Sequence, residues 1–216
     1  MSRSELLLTN GTFYHIYNRG INGVNLFYEE RNYAFFLQKY GLYLHDVLDT
    51  YAYCLLGNHF HLLVRIKDVF PANLTGLTAN PTGLEDLSGL KTGLHNPDRI
   101  VSKRFSDFFN CYTKTINKSQ NRTGGLFETP FRRIQVDDDK YFTQLIRYIH
   151  FNPQKHGFVD DFREYQHSSY HSHLANSPTK LAREQVLEWF GNANKYKEFH
   201  SSELDETDYS KFIIEM

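Results

Sequence analysis

The stretch HFHLLVRI, residues 59–66, decides the fold predicted for this chain. Successive side chains of a strand point to opposite faces, so this stretch has two different faces. One face is wholly apolar and is predicted to pack under helices; it consists of Phe60, Leu62, Val64 and Ile66. The other carries His59 and His61 one pleat apart, roughly 6–7 Å along the strand, which is close enough for both imidazoles to reach one metal ion.

The residues before this stretch predict two further strands and a helix. Residues 49–56 predict a strand. Gly57-Asn58 would join it to residues 59–66 as a two-residue hairpin loop, which is favoured because both residues accept positive φ at little cost. Residues 12–18 consist of β-formers and predict another strand. Between these strands, residues 29–44 carry aromatic side chains at helical spacing and predict a helix.

The residues after the stretch begin with an insertion. Residues 68–98 repeat a Thr/Ser-Gly-Leu triplet among Asn and Pro, a composition that predicts a flexible insertion and not a domain. Residues 100–117 then predict a helix, and residues 131–136 a short strand. The apolar stripe of that helix consists of Val101, Phe105, Phe108, Tyr112 and Ile116.

One more helix completes the predicted fold. The aspartates at 137–139 supply an N-cap and negative charge for its start, and Asn152-Pro153 ends it, since proline disfavours helical geometry in the preceding residue. The element order is then that of a ferredoxin-like α+β fold, an antiparallel sheet with helices on one face and this last helix packed near the His-x-His strand. We predict one domain over residues 1–160 and a helical tail over 161–216.

Charge is distributed unevenly along the 216 residues. The net charge of −1 argues on its own against a non-specific nucleic-acid binder, but residues 99–133 are basic and the end of the chain is acidic. The basic run fits a solvated helix face as well as a phosphate track. The side chains expected to contact DNA are Arg19, Lys103, Arg104, Lys114, Lys118, Arg122, Arg132 and Arg133.

Cysteine spacing and hydropathy indicate the cellular location of the protein. Cys54 and Cys111 fit no metal-binding spacing and are predicted to be buried reduced thiols. The three-leucine run near the first residue is too short for a secretory signal, and no apolar stretch approaches a membrane span. We expect a cytoplasmic protein without membrane contact.

Tyr148 lies on the last predicted helix of the domain. Gln144, Tyr148 and Asn152 step by four residues along a polar face, beside an apolar stripe of Phe142, Leu145, Ile146 and Ile149. A tyrosine at such a place commonly flanks a core with its hydroxyl in water. An isolated His-x-His pair fits hydrogen-bonded histidines on a sheet surface, and it indicates zinc as readily as another metal. Spacing alone does not decide between these interpretations.

Longer stretches of the sequence resemble a known family. The segments YCLLGNHFHLLV, residues 53–64, and YIHFNPQKHGFV, residues 148–159, resemble the two signatures of single-tyrosine transposases. They are most similar to the REP-associated tyrosine transposases of the HUH endonuclease superfamily. Further similar stretches are YHIYNRG at residues 14–20, GLF at 125–127 with Phe131-Arg132, and SSY at 168–170. Together they cover most of residues 12–170 in the family's order.

The resemblance implies a function and a role for each site residue. His59 and His61 are the implied metal ligands, Asn152 a third, amide-type ligand, and Tyr148 the nucleophile, with Mg²⁺ or Mn²⁺ as the cofactor. A phenol is a weak nucleophile at neutral pH and must be positioned and deprotonated, while a divalent ion at the scissile phosphate offsets charge in the transition state. The implied enzyme is a metal-dependent transposase that cleaves and rejoins single-stranded or hairpin DNA through a 5′-phosphotyrosine.

Two other functions fit the same residues. One is a non-catalytic regulator of the same fold that binds DNA or RNA hairpins without forming a covalent adduct. The other is a zinc hydrolase built on His59 and His61, in which Tyr148 is only structural. The resemblance also leaves open which hairpin is recognised and whether Tyr148 acts within its own subunit or across a homodimer.

Overall fold

The structure, a computed structural model, describes residues 6–68, 96–137 and 139–202. Four strands and six α-helices lie along these residues. The strands are β1 (Phe13–Arg19), β2 (Leu48–Leu56), β3 (His59–Ile66) and β4 (Arg132–Val136). The helices are α1 (Glu30–Leu44), α2 (Pro97–Ser119), α3 (Asp139–Lys155), α4 (Tyr170–Leu174), α5 (Arg183–Phe190) and α6 (Ala193–Ser201).

The strands form one antiparallel sheet in the order β2-β3-β1-β4. β1 pairs with both β3 and β4, so two segments distant in sequence flank it. This is the ferredoxin-like arrangement of βαββαβ units. The predicted fold class, α+β with an antiparallel sheet, is confirmed, and β3 begins and ends at the predicted residues.

The first face of the sheet packs against α1 and α2. The apolar residues of β3 and the predicted stripe of α2 lie in one buried cluster with Phe36 and Leu44 of α1. Aromatic rings dominate this core: the ring of Phe36 lies 4.8 Å from that of Phe108 and 5.3 Å from that of Phe60, measured between centroids. Every buried residue of α2 belongs to the predicted stripe.

The opposite face packs against α3 and the segments that follow it. The predicted apolar stripe of α3 is buried there together with Leu63 of β3 and with Tyr165 and Tyr196 from beyond residue 160. The Tyr165 hydroxyl donates to the carbonyl of Leu55 at 2.7 Å, which ties this later segment to β2. Residues after 160 therefore share a core with the sheet, while the predicted division into two domains stays a prediction.

Two local predictions were wrong in their physical reason. Gly57-Asn58 does form the hairpin loop, but neither residue has a positive φ. The Gly57 carbonyl instead accepts hydrogen bonds from the backbone N–H groups of Leu26 and Phe27, and the Asn58 carbonyl accepts one from Gly20. Contacts with a distant loop thus stabilise this turn.

α3 is also longer than predicted. The helix continues through Pro153 to Lys155, whereas it was expected to end at about Phe151, before Asn152-Pro153. Packing of α3 against the sheet therefore outweighs the preference of the residue before proline. The predicted insertion lies outside the described residues except at its two ends, as does Asp138, the residue before α3. None of the described helices combines the length and apolar character that crossing a bilayer requires.

Candidate functional site

The register between β1 and β3 places two histidines on the second face of the sheet, toward the end of its two central strands. His61 lies opposite Tyr17, and His59 lies opposite Arg19. Cross-strand partners point to the same side, so these four side chains share a face with His15 of β1. His61 is fully buried and His59 is 5% exposed, because α3 covers this part of the sheet.

α3 brings Tyr148 and Asn152 to the same place. The Tyr148 ring lies 5.9 Å from the His61 ring and 6.3 Å from the His15 ring, both edge-on. The Asn152 side chain donates from Nδ2 to the Tyr148 carbonyl one turn earlier, at 2.7 Å. Tyr148 is 3% exposed and Asn152 is fully buried, so the predicted polar face of this helix lies against the sheet and not in water.

Three polar atoms of these residues are buried without a hydrogen-bond partner: His59 Nε2, His61 Nε2 and Asn152 Oδ1. Buried polar atoms are nearly always paired, so a group that leaves them unpaired needs an explanation. Two imidazole nitrogens and an amide oxygen are donors that a divalent cation accepts. The residues therefore fit a bound cation. No group of three or more His, Cys, Asp or Glu side chains in the described part of the chain is arranged to hold an ion, and the polar atom left unpaired beside the two imidazoles is the Asn152 amide oxygen.

Burial sets the protonation of these groups. Desolvation, and then the charges of His156 and Arg19, lower the pKa of His59 to about 3. Desolvation lowers the pKa of His61 well below its usual value, with smaller contributions from neighbouring histidines and Lys155. Desolvation also raises the pKa of Tyr148 to about 12, opposed by the Asn152 side chain. At neutral pH the histidines are thus neutral, as ligands must be, and the phenol keeps its proton.

Two of the predicted DNA contacts lie on the same sheet face as Tyr148. Arg132 of β4 lies opposite Tyr17 and is half-exposed, with Glu128 4.0 Å away. Arg19 pairs with the same carboxylate at 2.5 Å. Arg133 points to the other face, where Asp98 and Ser102 of α2 accept its hydrogen bonds and leave 9% of the side chain exposed. Arg133 therefore serves the packing of β4 on α2.

The basic residues of α2 lie on the sheet face opposite to Tyr148, because α2 packs there. Lys103, Lys114 and Lys118 are exposed, and Arg104 is partly buried. Lys103 forms an ion pair with Asp107 one turn later. Arg122 donates to the Asn117 side chain and the Gly125 carbonyl, and so holds the loop after the helix. Their role in binding DNA stays a prediction.

Several residues around Tyr148 were not assigned a role from the sequence. His15 lies within hydrogen-bond distance of His61, and Asn58 of His59. The Lys155 ammonium lies 5.2 Å from the centroid of the Tyr148 ring, and the His156 ring 5.1 Å from that of His59. The alternation of β1, which puts His15, Tyr17 and Arg19 on one face, was the signal that could have identified the first of these.

Comparison with known proteins gives two similarities, and no protein-family model matches the chain. A Haemophilus influenzae protein named as a REP-associated tyrosine transposase is 28% identical over 127 residues, which are 59% of this chain and 61% of that relative. A solved structure of a REP-associated tyrosine transposase bound to a REP hairpin superposes with a TM-score of 0.58 at 16% identity, over 84% of this chain and 92% of the other. The chain is therefore similar in sequence and in fold to REP-associated tyrosine transposases, as its two motifs predicted.

Proposed function

We propose that this protein cleaves and rejoins single-stranded or hairpin DNA, with Tyr148 as the nucleophile. One observation carries the proposal: a tyrosine and three unpartnered polar atoms, from His59, His61 and Asn152, meet on one buried face of the sheet. The similarity to a transposase bound to a REP hairpin supports a folded DNA strand as the substrate.

The reaction is a transesterification at phosphorus. The Tyr148 hydroxyl attacks the scissile phosphate, a new P–O bond to tyrosine forms, and the bond to the 3′ oxygen breaks. The departing 3′ oxygen takes up a proton as the phenol loses one, so the products are a 5′-phosphotyrosine and a free 3′-hydroxyl. The phosphodiester bond is exchanged and not hydrolysed. A 3′-hydroxyl that attacks the phosphotyrosine therefore reverses the step and joins strands.

His59 and His61 would hold Mg²⁺ or Mn²⁺ through Nε2, and Asn152 through Oδ1. When bound there, the ion supplies Lewis-acid polarisation of the scissile phosphate and offsets the developing negative charge. α3 carries both Asn152 and Tyr148, so their separation is set by one helical turn. The buried phenol stays protonated until the substrate arrives, since its pKa is raised to about 12.

Access to Tyr148 requires side chains to move, because the residue is 3% exposed. Lys155, the exposed last residue of α3, lies over its ring. A phosphodiester approaching from this side would meet the positive charge of Lys155 first, and Arg19 and Arg132 flank the same face. These three residues form the cationic entrance that we assign to the DNA backbone.

The test is replacement of Tyr148 by phenylalanine, with Tyr17→Phe as the matched control. Both tyrosines are buried beside His61, and the rings of Tyr17 and His61 are 5.8 Å apart, so each variant removes one hydroxyl from the same place. We expect Tyr148→Phe to form no DNA adduct on denaturing electrophoresis with hairpin oligonucleotides and Mn²⁺, while Tyr17→Phe still forms it. An adduct from Tyr148→Phe, lost in Tyr17→Phe, would make Tyr17 the nucleophile.

The burial of Tyr148 also suits the non-catalytic alternative, in which the fold binds hairpins and the phenol only packs. The same experiment separates the two functions. A regulator would bind the oligonucleotides with equal affinity in all three proteins and yield no adduct from any of them.

A further inference from the structure

Each candidate ligand histidine has one ring nitrogen in a hydrogen bond and the other free. His59 uses Nδ1 toward Asn58 Oδ1 at 2.7 Å, and His61 uses Nδ1 toward His15 Nε2 at 3.0 Å. The free atom is Nε2 in both rings. Nε2 is thus the nitrogen that each ring has available for a cation.

The Asn58 contact determines the tautomer of His59. An amide oxygen only accepts, so the hydrogen bond requires a proton on His59 Nδ1. A neutral imidazole carries one ring proton, and Nε2 of His59 is then a lone pair ready for a cation. The hydrogen bond to Asn58 is thus sufficient to leave His59 Nε2 in the form that binds a cation.

The contact between His15 and His61 permits two arrangements. In the first, His61 Nδ1–H donates to His15 Nε2, which leaves a lone pair on His61 Nε2. In the second, His15 Nε2–H donates to His61 Nδ1, which leaves a proton on His61 Nε2 and blocks it as a ligand. Either way His15 Nδ1 and His61 Nε2 lack partners, so hydrogen bonding among the described residues does not choose between them.

We propose that His15 is the positioning residue of this site: its Nε2 accepts a hydrogen bond from His61 Nδ1–H and so keeps the lone pair on His61 Nε2 for a metal ion, as Asn58 does for His59. This inference rests on the proposed function. In this role His15 stands in place of the carboxylate or carbonyl that usually accepts the second ring N–H of a metal-bound histidine. His15 is 1% exposed and lies on β1, so its place beside His61 is set by the strand register and the Tyr17–His61 pairing next to it.

The experiment measures Mn²⁺ affinity of the full chain from the free-ion signal in electron paramagnetic resonance. His15→Leu removes the acceptor, and His15→Gln keeps an acceptor oxygen near the same place. His173→Leu is the control, since His173 is equally buried at 1% and packs with His150 and Tyr196. We expect His15→Leu to weaken binding about tenfold or more, the effect typical of a lost hydrogen-bond partner to a metal ligand. His15→Gln is expected to retain most of the affinity and His173→Leu all of it.

A second readout uses the unmodified chain, so the inference stays testable even if His15→Leu fails to fold. Two-bond ¹H–¹⁵N correlation spectra of histidine-labelled protein saturated with Mg²⁺ should show His59 and His61 protonated at Nδ1. A His61 proton at Nε2 in that spectrum, or unchanged Mn²⁺ affinity in folded His15→Leu, would overturn the role of His15 alone. Equal Mn²⁺ binding by His59→Ala, His61→Ala and the unmodified chain would instead overturn the ligand set of the proposed function.

Discussion

The two faces of the sheet are built from the same strands but carry different kinds of buried side chains. On the α1 and α2 face, β3 contributes Phe60 and Leu62 to a core of aromatic and aliphatic side chains. On the α3 face, the alternate residues of the same strand are His59 and His61, which are just as buried. Neighbouring residues of β3 therefore belong to an apolar core on one face and to a polar site on the other.

The two faces differ in their buried polar atoms. Burying a polar group costs free energy unless it is paired, and an apolar residue of similar size would pack at His61 without that cost. The α3 face nevertheless leaves nitrogen and amide oxygen atoms unpaired beside Tyr148. A second histidine group beside α3 consists of His150, His173 and His200. The ring nitrogens of His150 and His200 are hydrogen-bonded to each other, to Ser169 and to a backbone carbonyl, whereas those of His173 have no hydrogen-bond partner among the described residues. The α3 face thus differs from this group in combining two histidines and an amide, each with an unpaired atom, beside a tyrosine.

The largest effect is expected from removing a proposed ligand on the α3 face. His61→Ala should abolish cleavage and adduct formation, because Mn²⁺ no longer binds where it can polarise the phosphate. Asn152→Ala should be milder, since water can replace an amide oxygen. Cleavage assays across a Mn²⁺ series would check this: excess Mn²⁺ should partly restore the ligand variants and leave Tyr148→Phe inactive. Restoration of Tyr148→Phe would contradict the division into ligands and nucleophile.

The opposite result is expected on the α1 and α2 face. Phe108→Ala removes a fully buried ring packed against Phe36 and should lower the free energy of unfolding by about 3–5 kcal/mol, as large-to-small changes in cores do. Cleavage per folded molecule should not change. Urea unfolding measures the loss, with Phe158→Ala as the control, because that ring is 47% exposed. Equal losses in the two variants would show that this core is not as tightly packed as the contacts indicate.

Acid should destabilise the α3 side through its second histidine group. Desolvation, with a smaller effect of Arg183, lowers the pKa of His173 to about 4. The unfolded state, with a pKa near 6.5, therefore binds the proton more tightly, and the stability present above pH 6.5 is lost as the pH falls toward 4.

Replacing His173 tests this dependence. Between pH 7 and pH 4.5, His173→Leu should lose about 2 kcal/mol less of its unfolding free energy than the unmodified chain does, since each pKa unit corresponds to about 1.4 kcal/mol. Urea unfolding at the two pH values provides the comparison. The control is His171→Leu, on the same short helix but exposed. The same pH slope in all three proteins would contradict the assignment.

The smallest effect is expected from single charges at the surface. Arg132→Glu, on the Tyr148 face, should weaken hairpin binding about fivefold and reduce the slope of affinity against salt by about 1, as loss of a phosphate contact does. Lys103→Glu, on α2, should change less, because α2 packs on the other face. Fluorescence anisotropy over a salt series measures both. A larger loss from Lys103→Glu would place the DNA across α2, as the basic run in the sequence suggested.

Much of this protein follows from local pattern. The period of two in β3 predicted both of its faces, and the period near 3.6 predicted every buried residue of α2, because side-chain direction within an element depends only on its own backbone geometry. The two motifs also identified the residues that meet on the α3 face. What they could not provide is the environment of those residues, since Tyr148 was expected on a polar helix face and is buried.

The tertiary structure alone decided which atoms are paired. Whether Arg133 binds DNA or Asp98, and whether His61 Nδ1 finds water or His15, depends on strand register and on contacts between segments 35 to 46 residues apart. Such contacts determine desolvation and hydrogen bonding together, and neither leaves a periodic trace in the sequence. The sequence by itself determined which residues could form a site; only the folded chain determined which of their atoms are left free to do chemistry.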